Sequence, residues 1–125
     1  MSTKRKVLKI VSFAVLILAI VLIVLDITPF MEAGSGAEYG GCALVLVCCV
    51  LNLMLGWKGI LAANRPSNAE GMLGGGVAVV AANICVGILL NHIGFTVLAI
   101  MCAVNAVAVA AFSLVVELVH KEAER

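Results

Sequence analysis

Residues 10–25 read IVSFAVLILAIVLIVL and contain no charged side chain. The apolar stretch can be counted from Val7, because the long side chain of Lys9 can reach back toward water. A hydrocarbon layer of about 30 Å requires roughly 20 helical residues at about 1.5 Å each. The stretch is therefore long enough to cross a lipid bilayer as a single helix.

Three further apolar runs follow, and the segments between them are rich in Pro, Gly, Asn and Ser, which favour loops. Residues 26–38 are predicted to form the first loop and residues 91–94 a short turn. Ser67 and Glu70 have the spacing of a capping box, which predicts that the third helix begins near them. The predicted helices cover approximately residues 7–25, 39–62, 68–90 and 95–117.

The composition requires lipid as the solvent for most of the chain. Of the 125 residues, 64% are hydrophobic and 12% are charged, whereas soluble domains have about 45–50% apolar and about 25% charged residues. Only helices and closed barrels satisfy the backbone in lipid. Barrel strands alternate apolar and polar residues, and these runs do not. We therefore predict an all-α integral membrane protein, a four-transmembrane-helix antiparallel bundle forming one domain over residues 1–125.

The basic residues predict the orientation of the chain. With four spans, the N-terminus, the loop over residues 58–70 and the C-terminus lie on one side, and all eight Lys and Arg fall there. The loop over residues 26–38 carries Asp26, Glu32 and Glu38 and no basic residue. The positive-inside rule then places both termini in the cytoplasm.

A cleaved signal peptide is an alternative interpretation of the first apolar stretch. Small residues at 33–37 could supply a cleavage site. The stretch exceeds the usual apolar core of about 7–15 residues in such peptides, so we favour a retained span.

Three asparagines are predicted to lie inside the membrane: Asn52, Asn83 and Asn105, one each in the second, third and fourth helices. Asn83 and Asn105 should reach a similar depth near the midplane, whereas Asn52 is placed nearer the cytoplasmic end. An unpaired amide in lipid costs several kcal/mol. The three residues therefore either form hydrogen bonds between helices or line a weakly polar path.

Small residues recur at heptad spacing on the third and fourth helices, and such seams allow helices to approach closely. On this basis we predict a tight antiparallel hairpin of these two helices, although the same seam could mediate self-association. The predicted packing residues are Gly74, Ala78, Ala81 and Cys85 on the third helix and Ala99, Ala103, Ala106 and Ala110 on the fourth.

Tyr39 and Trp57 are predicted to anchor the two ends of the second span at the membrane interfaces. Eighteen helical steps of about 1.5 Å separate them by about 27 Å. Rings that are apolar with one polar group are favoured at this depth on either side of the bilayer.

The sequence shows no pattern of catalytic or metal-binding residues. Its five cysteines, at 42, 48, 49, 85 and 102, lie within the apolar runs and are interpreted as small buried apolar residues. No ionisable residue is expected in the middle of a span, which argues against proton-coupled transport. We therefore predict a protein that is not an enzyme, holds no metal or other cofactor and does not bind nucleic acid.

The segment LGWKGI at residues 55–60, followed by AANRP at residues 62–66, resembles a segment of small four-helix bacterial membrane proteins of unassigned function. The likeness consists of a Gly-x-x-Gly-Ile end to the second helix and an Asn-x-Pro loop after it. This resemblance implies a bacterial inner (plasma) membrane as the location and implies no activity.

Two classes of function remain open from the sequence. In the first, the protein acts through association of its helices with a second copy or with a partner membrane protein. In the second, it is a subunit of a small oligomeric channel or transporter, with Asn83 and Asn105 near a weakly polar path.

Overall fold

The computed structural model describes residues 3–124, apart from the side chains at positions 66, 67, 123 and 124. This part of the chain consists of four long helices and one short 3₁₀ turn. The helices are α1 Thr3–Met31, α2 Gly36–Asn64, α3 Met72–Ile93 and α4 Thr96–Glu124, and the 3₁₀ turn is Pro66–Ala69. Each helix is long and apolar enough to span a membrane. The predicted all-α fold of four membrane-spanning helices is thereby confirmed.

The helices form an antiparallel bundle in which neighbours in sequence are also neighbours in space. α1 packs most extensively against α2, and α3 against α4, while contacts of α1 with α4 and of α2 with α3 close the ring. We call the end with the start of α1, the end of α4 and the α2–α3 connection the basic end. The opposite end, with the turns at residues 32–35 and 94–95, is the turn end.

α1 continues through a segment that the sequence predicts as a loop. Asp26 and Pro29 lie within the helix, which ends at Met31. Proline removes one backbone donor and disfavours a helix interior, yet α1 continues two residues past Pro29. The predicted loop over residues 26–38 is therefore corrected to residues 32–35.

A reciprocal cap starts α2 immediately after this turn. The hydroxyl of Ser35 accepts a hydrogen bond from the backbone N–H of Glu38 at 3.2 Å. The carboxylate of Glu38 in turn accepts one from the backbone N–H of Gly34 at 3.0 Å. These bonds satisfy backbone donors that a helix start leaves free, so α2 begins at Gly36 rather than near residue 39.

α3 begins at Met72 rather than near residue 68. Gly71 precedes it in the left-handed region, with φ of 77°, and no side chain caps this helix start. A left-handed residue interrupts a right-handed helix, so the 3₁₀ turn at Pro66–Ala69 cannot run on into α3. The predicted capping box therefore does not start the helix, and the side chain of Ser67 lies outside the described residues.

Gly94 ends α3 and turns the chain into α4. Its φ of 105° is in the left-handed region, where glycine has no steric penalty. The N–H of Gly94 donates to the carbonyl of Asn91 at 3.3 Å, and the N–H of Phe95 donates to that of Leu90 at 2.9 Å. This is the Schellman pattern of helix ends. Asn91 therefore belongs to α3 and not to the predicted turn at 91–94.

The hairpin of α1 and α2 extends beyond that of α3 and α4 at the turn end. A Cβ placed on Gly41 would lie 3.1 Å from Ile93 and 3.3 Å from Leu90. Gly41 is thus level with the last turn of α3, and the first residues of α2 reach past it. This offset decides which side chains meet deeper in the bundle.

Two glycines allow the helices to touch near the basic end. A Cβ added to Gly59 of α2 would overlap the Ser12 hydroxyl of α1 and the Phe112 ring of α4. A Cβ added to Gly76 of α3 would overlap the Ser113 hydroxyl of α4. Small residues promote close helix approach in membranes, but the glycines that do so here are not the ones predicted.

Arg5 joins the start of α1 to the end of α2. Its Nε donates a hydrogen bond to the carbonyl oxygen of Ala63 at 2.7 Å, and its Nη2 donates to that of Asn64 at 2.6 Å. The last carbonyls of a helix lack intrahelical donors and carry partial negative charge. The guanidinium therefore satisfies the end of α2 and fixes the first turn of α1 beside it.

Replacing Arg5 with Ala is expected to destabilise the bundle by about 1 kcal/mol, the usual size of such charged contacts with a helix end. Thermal unfolding in detergent, followed by circular dichroism, measures this effect. Lys6→Ala removes a charge from the same turn of α1, where the side chain is exposed, and should change stability by less than about 0.5 kcal/mol. Equal melting of the two variants would contradict a specific role of Arg5.

Candidate functional site

The three intramembrane asparagines form one hydrogen-bonded network. Asn83 donates through Nδ2 to Oδ1 of Asn52 at 3.2 Å, and Asn52 donates through Nδ2 to Oδ1 of Asn105 at 3.4 Å. All three side chains have 0% exposure. The network therefore connects α2, α3 and α4 across the interior of the bundle.

Asn52 is the centre of this network, although depth counted along the sequence placed it nearer the cytoplasmic end than the other two. The predicted depth of Asn52 was wrong because it was counted from the turns, as if α2 began level with the end of α3. Gly41, not the first residue of α2, is level with the end of α3 at Ile93. Asn52 follows Gly41 by eleven residues, and Asn83 precedes Ile93 by ten, so the two amides lie at the same depth.

The outer members of the network also bond to their own helices. Asn83 Nδ2 donates to the carbonyl of Val79 at 2.9 Å, and Asn105 Nδ2 donates to that of Met101 at 3.0 Å. Asn83 Oδ1 is buried and has no hydrogen-bond partner among the described residues. One acceptor of the network therefore stays unpaired.

A shallow groove on the outside of the bundle reaches Asn83 between α3 and α4. Its volume is about 270 Å³. Gly87 and Ala99 lie within its lining, and Asn91 lies toward the turn end. The groove is thus an apolar surface with the exposed Asn91 toward the turn end, and the side chain of Asn83 beneath its deeper end is fully buried.

Asp26 is a buried acid at a position that the sequence predicts to be in a loop. The longer α1 places it inside the bundle with 1% exposure. Neither carboxyl oxygen receives a hydrogen bond of ordinary geometry from a described residue. The Cys42 thiol of α2 faces the carboxyl, and a thiol is only a weak donor. Asp26 lies five residues before the end of α1 and not in the middle of the span, but the sequence placed it in a loop and did not predict a buried acid.

The sequence contained a signal that α1 continues past Asp26, namely the residues that cap the start of α2. Ser35 and Glu38 have capping-box spacing and fix the start of α2. The apolar residues after Asp26 then belong to the preceding helix. This continuation of α1 was not predicted because the hydropathy around Pro29 is low, as it is in loops.

The five cysteines divide into two groups. Cys42, Cys48, Cys49 and Cys102 are buried and free, in agreement with their interpretation as small apolar residues, whereas Cys85 is exposed. In residues 3–124, no three His, Cys, Asp or Glu side chains gather as a metal site would require. Cys85 is thus a natural probe of the outer surface of α3.

The predicted packing residues of α3 face outward. Gly74, Ala78, Ala81 and Cys85 are all exposed, and a Cβ on Gly74 would meet nothing within 4 Å. α3 instead buries the opposite side, formed by Met72, Gly76, Val79, Asn83, Val86 and Leu90. The prediction that these small residues pack against α4 is therefore wrong. Because α3 is apolar on all sides, hydropathy could not identify its buried face.

The predicted packing residues of α4 lie on several sides of that helix. Ala106 is buried, Ala99 and Ala110 are half-buried, and Ala103 is exposed. A Cβ on Gly87 of α3 would lie 3.4 Å from the Cβ of Cys102 and 3.5 Å from the carbonyl oxygen of Ala99. α3 and α4 therefore meet near the turn end at Gly87, which is not among the residues predicted from the sequence, and a Cβ there would make ordinary van der Waals contacts.

The two predicted anchors, Tyr39 and Trp57, are on the outside of α2. Tyr39 is 49% exposed and Trp57 60%. Tyr39 also forms an edge-to-face contact with Phe30 of α1, with ring centroids 6.0 Å apart. The placement of both rings at the membrane interfaces stays a prediction.

Comparison with protein families, with characterised proteins and with solved structures gives no match to this chain. Function is therefore inferred from the chemistry of the bundle itself.

Proposed function

We propose that this chain is a non-catalytic, multi-pass protein of a bacterial inner membrane that acts by association with a second copy of itself through α3. Both termini lie in the cytoplasm in this proposal, since Lys and Arg are concentrated at the basic end. The resemblance of residues 55–66 to small bacterial membrane proteins supports the location.

The outward stripe of small residues on α3 carries the proposal. Gly74, Ala78, Ala81 and Cys85 recur at spacings of four, three and four residues and lie opposite the buried face of the helix. Membrane helices associate through van der Waals contact, which small residues improve by letting backbones approach. A stripe of this kind facing lipid makes poorer contacts than it would against another helix.

The grooves on both sides of the stripe favour a second copy of the chain as the partner that covers it. One groove of about 290 Å³ lies between α3 and α2, and another of about 270 Å³ lies between α3 and α4. Ile84 and Ile88 project beside the stripe, with 49% and 68% exposure. If a twofold axis relates two copies, Ile84 and Ile88 of one copy can lie beside the small residues of the second copy, and the reverse contact is identical. The stripe has no charged residue to oppose this contact.

Cross-linking at Cys85 is expected to capture this dimer in native membranes. Cys85 lies on the stripe and is the exposed cysteine of the five, so a short bifunctional thiol reagent should join two copies through it. The product is a covalent dimer on a denaturing gel.

The matched control moves the thiol to another lipid-facing helix. In the variant Cys85→Ala with Ile17→Cys, the thiol is on α1 at a position that is 60% exposed, and dimer formation should fall to the level of random collision. Equal cross-linking at the two positions would refute an interface at α3.

A small oligomeric channel or transporter is the second candidate, and the unpaired Asn83 Oδ1 favours it. In an oligomer, the groove from Asn83 to Asn91 would adjoin a neighbouring subunit. Replacing Asn83 and Asn105 together with Leu separates the candidates. Loss of solute flux in liposomes, with assembly intact, would support a path, whereas absence of flux in the parent protein, with assembly unchanged in the variant, would support association through the stripe.

A further inference from the structure

Asp26 is the sole aspartate of the chain, and the bundle buries its carboxyl without a positive charge beside it. No Lys or Arg occurs between residues 10 and 57 or between residues 66 and 120. All Lys and Arg residues are therefore near the basic end, whereas Asp26 lies within two turns of the opposite end of α1. An isolated carboxylate in an apolar interior is far more costly than a neutral acid.

The groups around Asp26 supply no positive charge. Cys42 and Cys49 of α2 and Cys102 of α4 are the described titratable side chains that interact with it. All three are free thiols, which are neutral or negative. His92, in the last turn of α3, is exposed and is not among the groups that interact with Asp26 or with these thiols. The carboxyl thus lies where three helices meet, and none of the groups that interact with it is a cation.

We propose that Asp26 is a proton-binding site inside the membrane-spanning bundle, and that its ionisation separates α1 from α2 at Cys42. The chemistry is a simple equilibrium in which the carboxylate and a proton combine to give the neutral acid. The neutral acid fits the dry junction, whereas the carboxylate needs water and draws it in from the turn end. This inference is independent of the proposed association through α3, because the stripe is on another helix.

The position of Glu38 indicates the route of proton exchange. Glu38 and Cys42 are one helical turn apart on α2, and the two groups interact. Glu38 is half-buried at the start of α2, with its carboxylate bonded to Gly34. The route therefore leads from the carboxylate of Glu38 at the surface, past the thiol of Cys42 one turn deeper, to the buried carboxyl of Asp26 on α1.

Carbon NMR tests the state of Asp26 directly, because a single labelled aspartate reports on this site alone. Protein made by cell-free synthesis with ¹³Cγ-aspartate and placed in lipid nanodiscs should show the resonance of a neutral carboxylic acid at neutral pH. The resonance should move to the carboxylate position only in more alkaline solution. A carboxylate resonance at neutral pH would overturn the proposal.

Thiol alkylation tests the opening of the junction. Cys42 is kept as the single cysteine by replacing the other four with Ala, and Asp26 is either retained or replaced in the variant D26N. The alkylation rate of the protein with Asp26, divided by the rate of D26N, should rise by up to about tenfold per unit of pH, because the ionised fraction of an acid rises in this way below its pKa.

Division by the D26N rate corrects for the rise of thiol reactivity with pH that both proteins share, and the charge of an ionised Asp26 opposes formation of the neighbouring thiolate, so a rise in the ratio reports opening. The amide of the variant cannot ionise, so its junction should stay closed throughout. A rate ratio that stays constant over the pH range in which the carbon resonance moves would overturn the coupling.

Discussion

Gly59→Leu is expected to prevent the bundle from closing at its basic end, at a cost of about 3 kcal/mol or more. Gly59 lies between Ser12 of α1 and Phe112 of α4, and even a Cβ at this position would overlap both. Phe112 and Ser12 have 0% exposure, so neither side chain has free space to move into. Unfolding in mixed detergent micelles, followed by circular dichroism, measures the loss, and Gly59→Ala should give a smaller loss in the same direction.

Gly40→Leu is the matched control on the same helix. A Cβ at Gly40 would meet nothing within 4 Å, and leucine favours helix more than glycine does. We expect this variant to be at least as stable as the parent chain. If Gly59→Leu were equally stable, the close approach of α1, α2 and α4 at residue 59 would be refuted.

Asn52→Leu is expected to destabilise the bundle by about 2 kcal/mol, since hydrogen bonds between membrane helices contribute about 0.6–2 kcal/mol each. Asn52 is the partner of both Asn83 and Asn105. Its loss removes two interhelical bonds and leaves Oδ1 of Asn105 unpaired in the interior. Asn83→Leu and Asn105→Leu each remove one of these bonds and should cost less in the same unfolding measurement.

The triple variant, with Leu at positions 52, 83 and 105, distinguishes a network from three separate effects. Replacing all partners of a hydrogen bond by apolar groups is much less costly than removing one partner. The triple variant should therefore be more stable than the sum of the three single losses implies. Strict additivity would show that the asparagines do not act on one another.

The number of spans could be predicted because lipid imposes a simple length requirement on the sequence. The apolar stretch at residues 10–25 and its three successors meet it without help from tertiary contacts. The end of α1 could not be read in the same way. Hydropathy treats Asp26 and Pro29 as the start of a loop, although the bundle buries Asp26 and the helix continues past Pro29 to Met31.

The candidate site was predictable in its residue types but not in its arrangement. Buried amides at 52, 83 and 105 follow from the cost of an amide in lipid. Asn52 is the centre of the network because the two hairpins are offset along the bundle. This offset is seen in the contact of Gly41 with Ile93, which the sequence alone does not show. The outward direction of Ala78 and Ala81 was equally hidden, because every side of α3 is apolar.

The mass of the purified protein in nanodiscs, measured beside that of Ala81→Leu, tests the proposed association most directly. Ala81 is exposed on the stripe, so the larger side chain should block a second copy without disturbing the buried face. We predict twice the chain mass of 12.9 kDa for the parent protein and a single chain mass for the variant. A parent protein that is monomeric at all concentrations, or a variant that remains dimeric, would contradict the proposal.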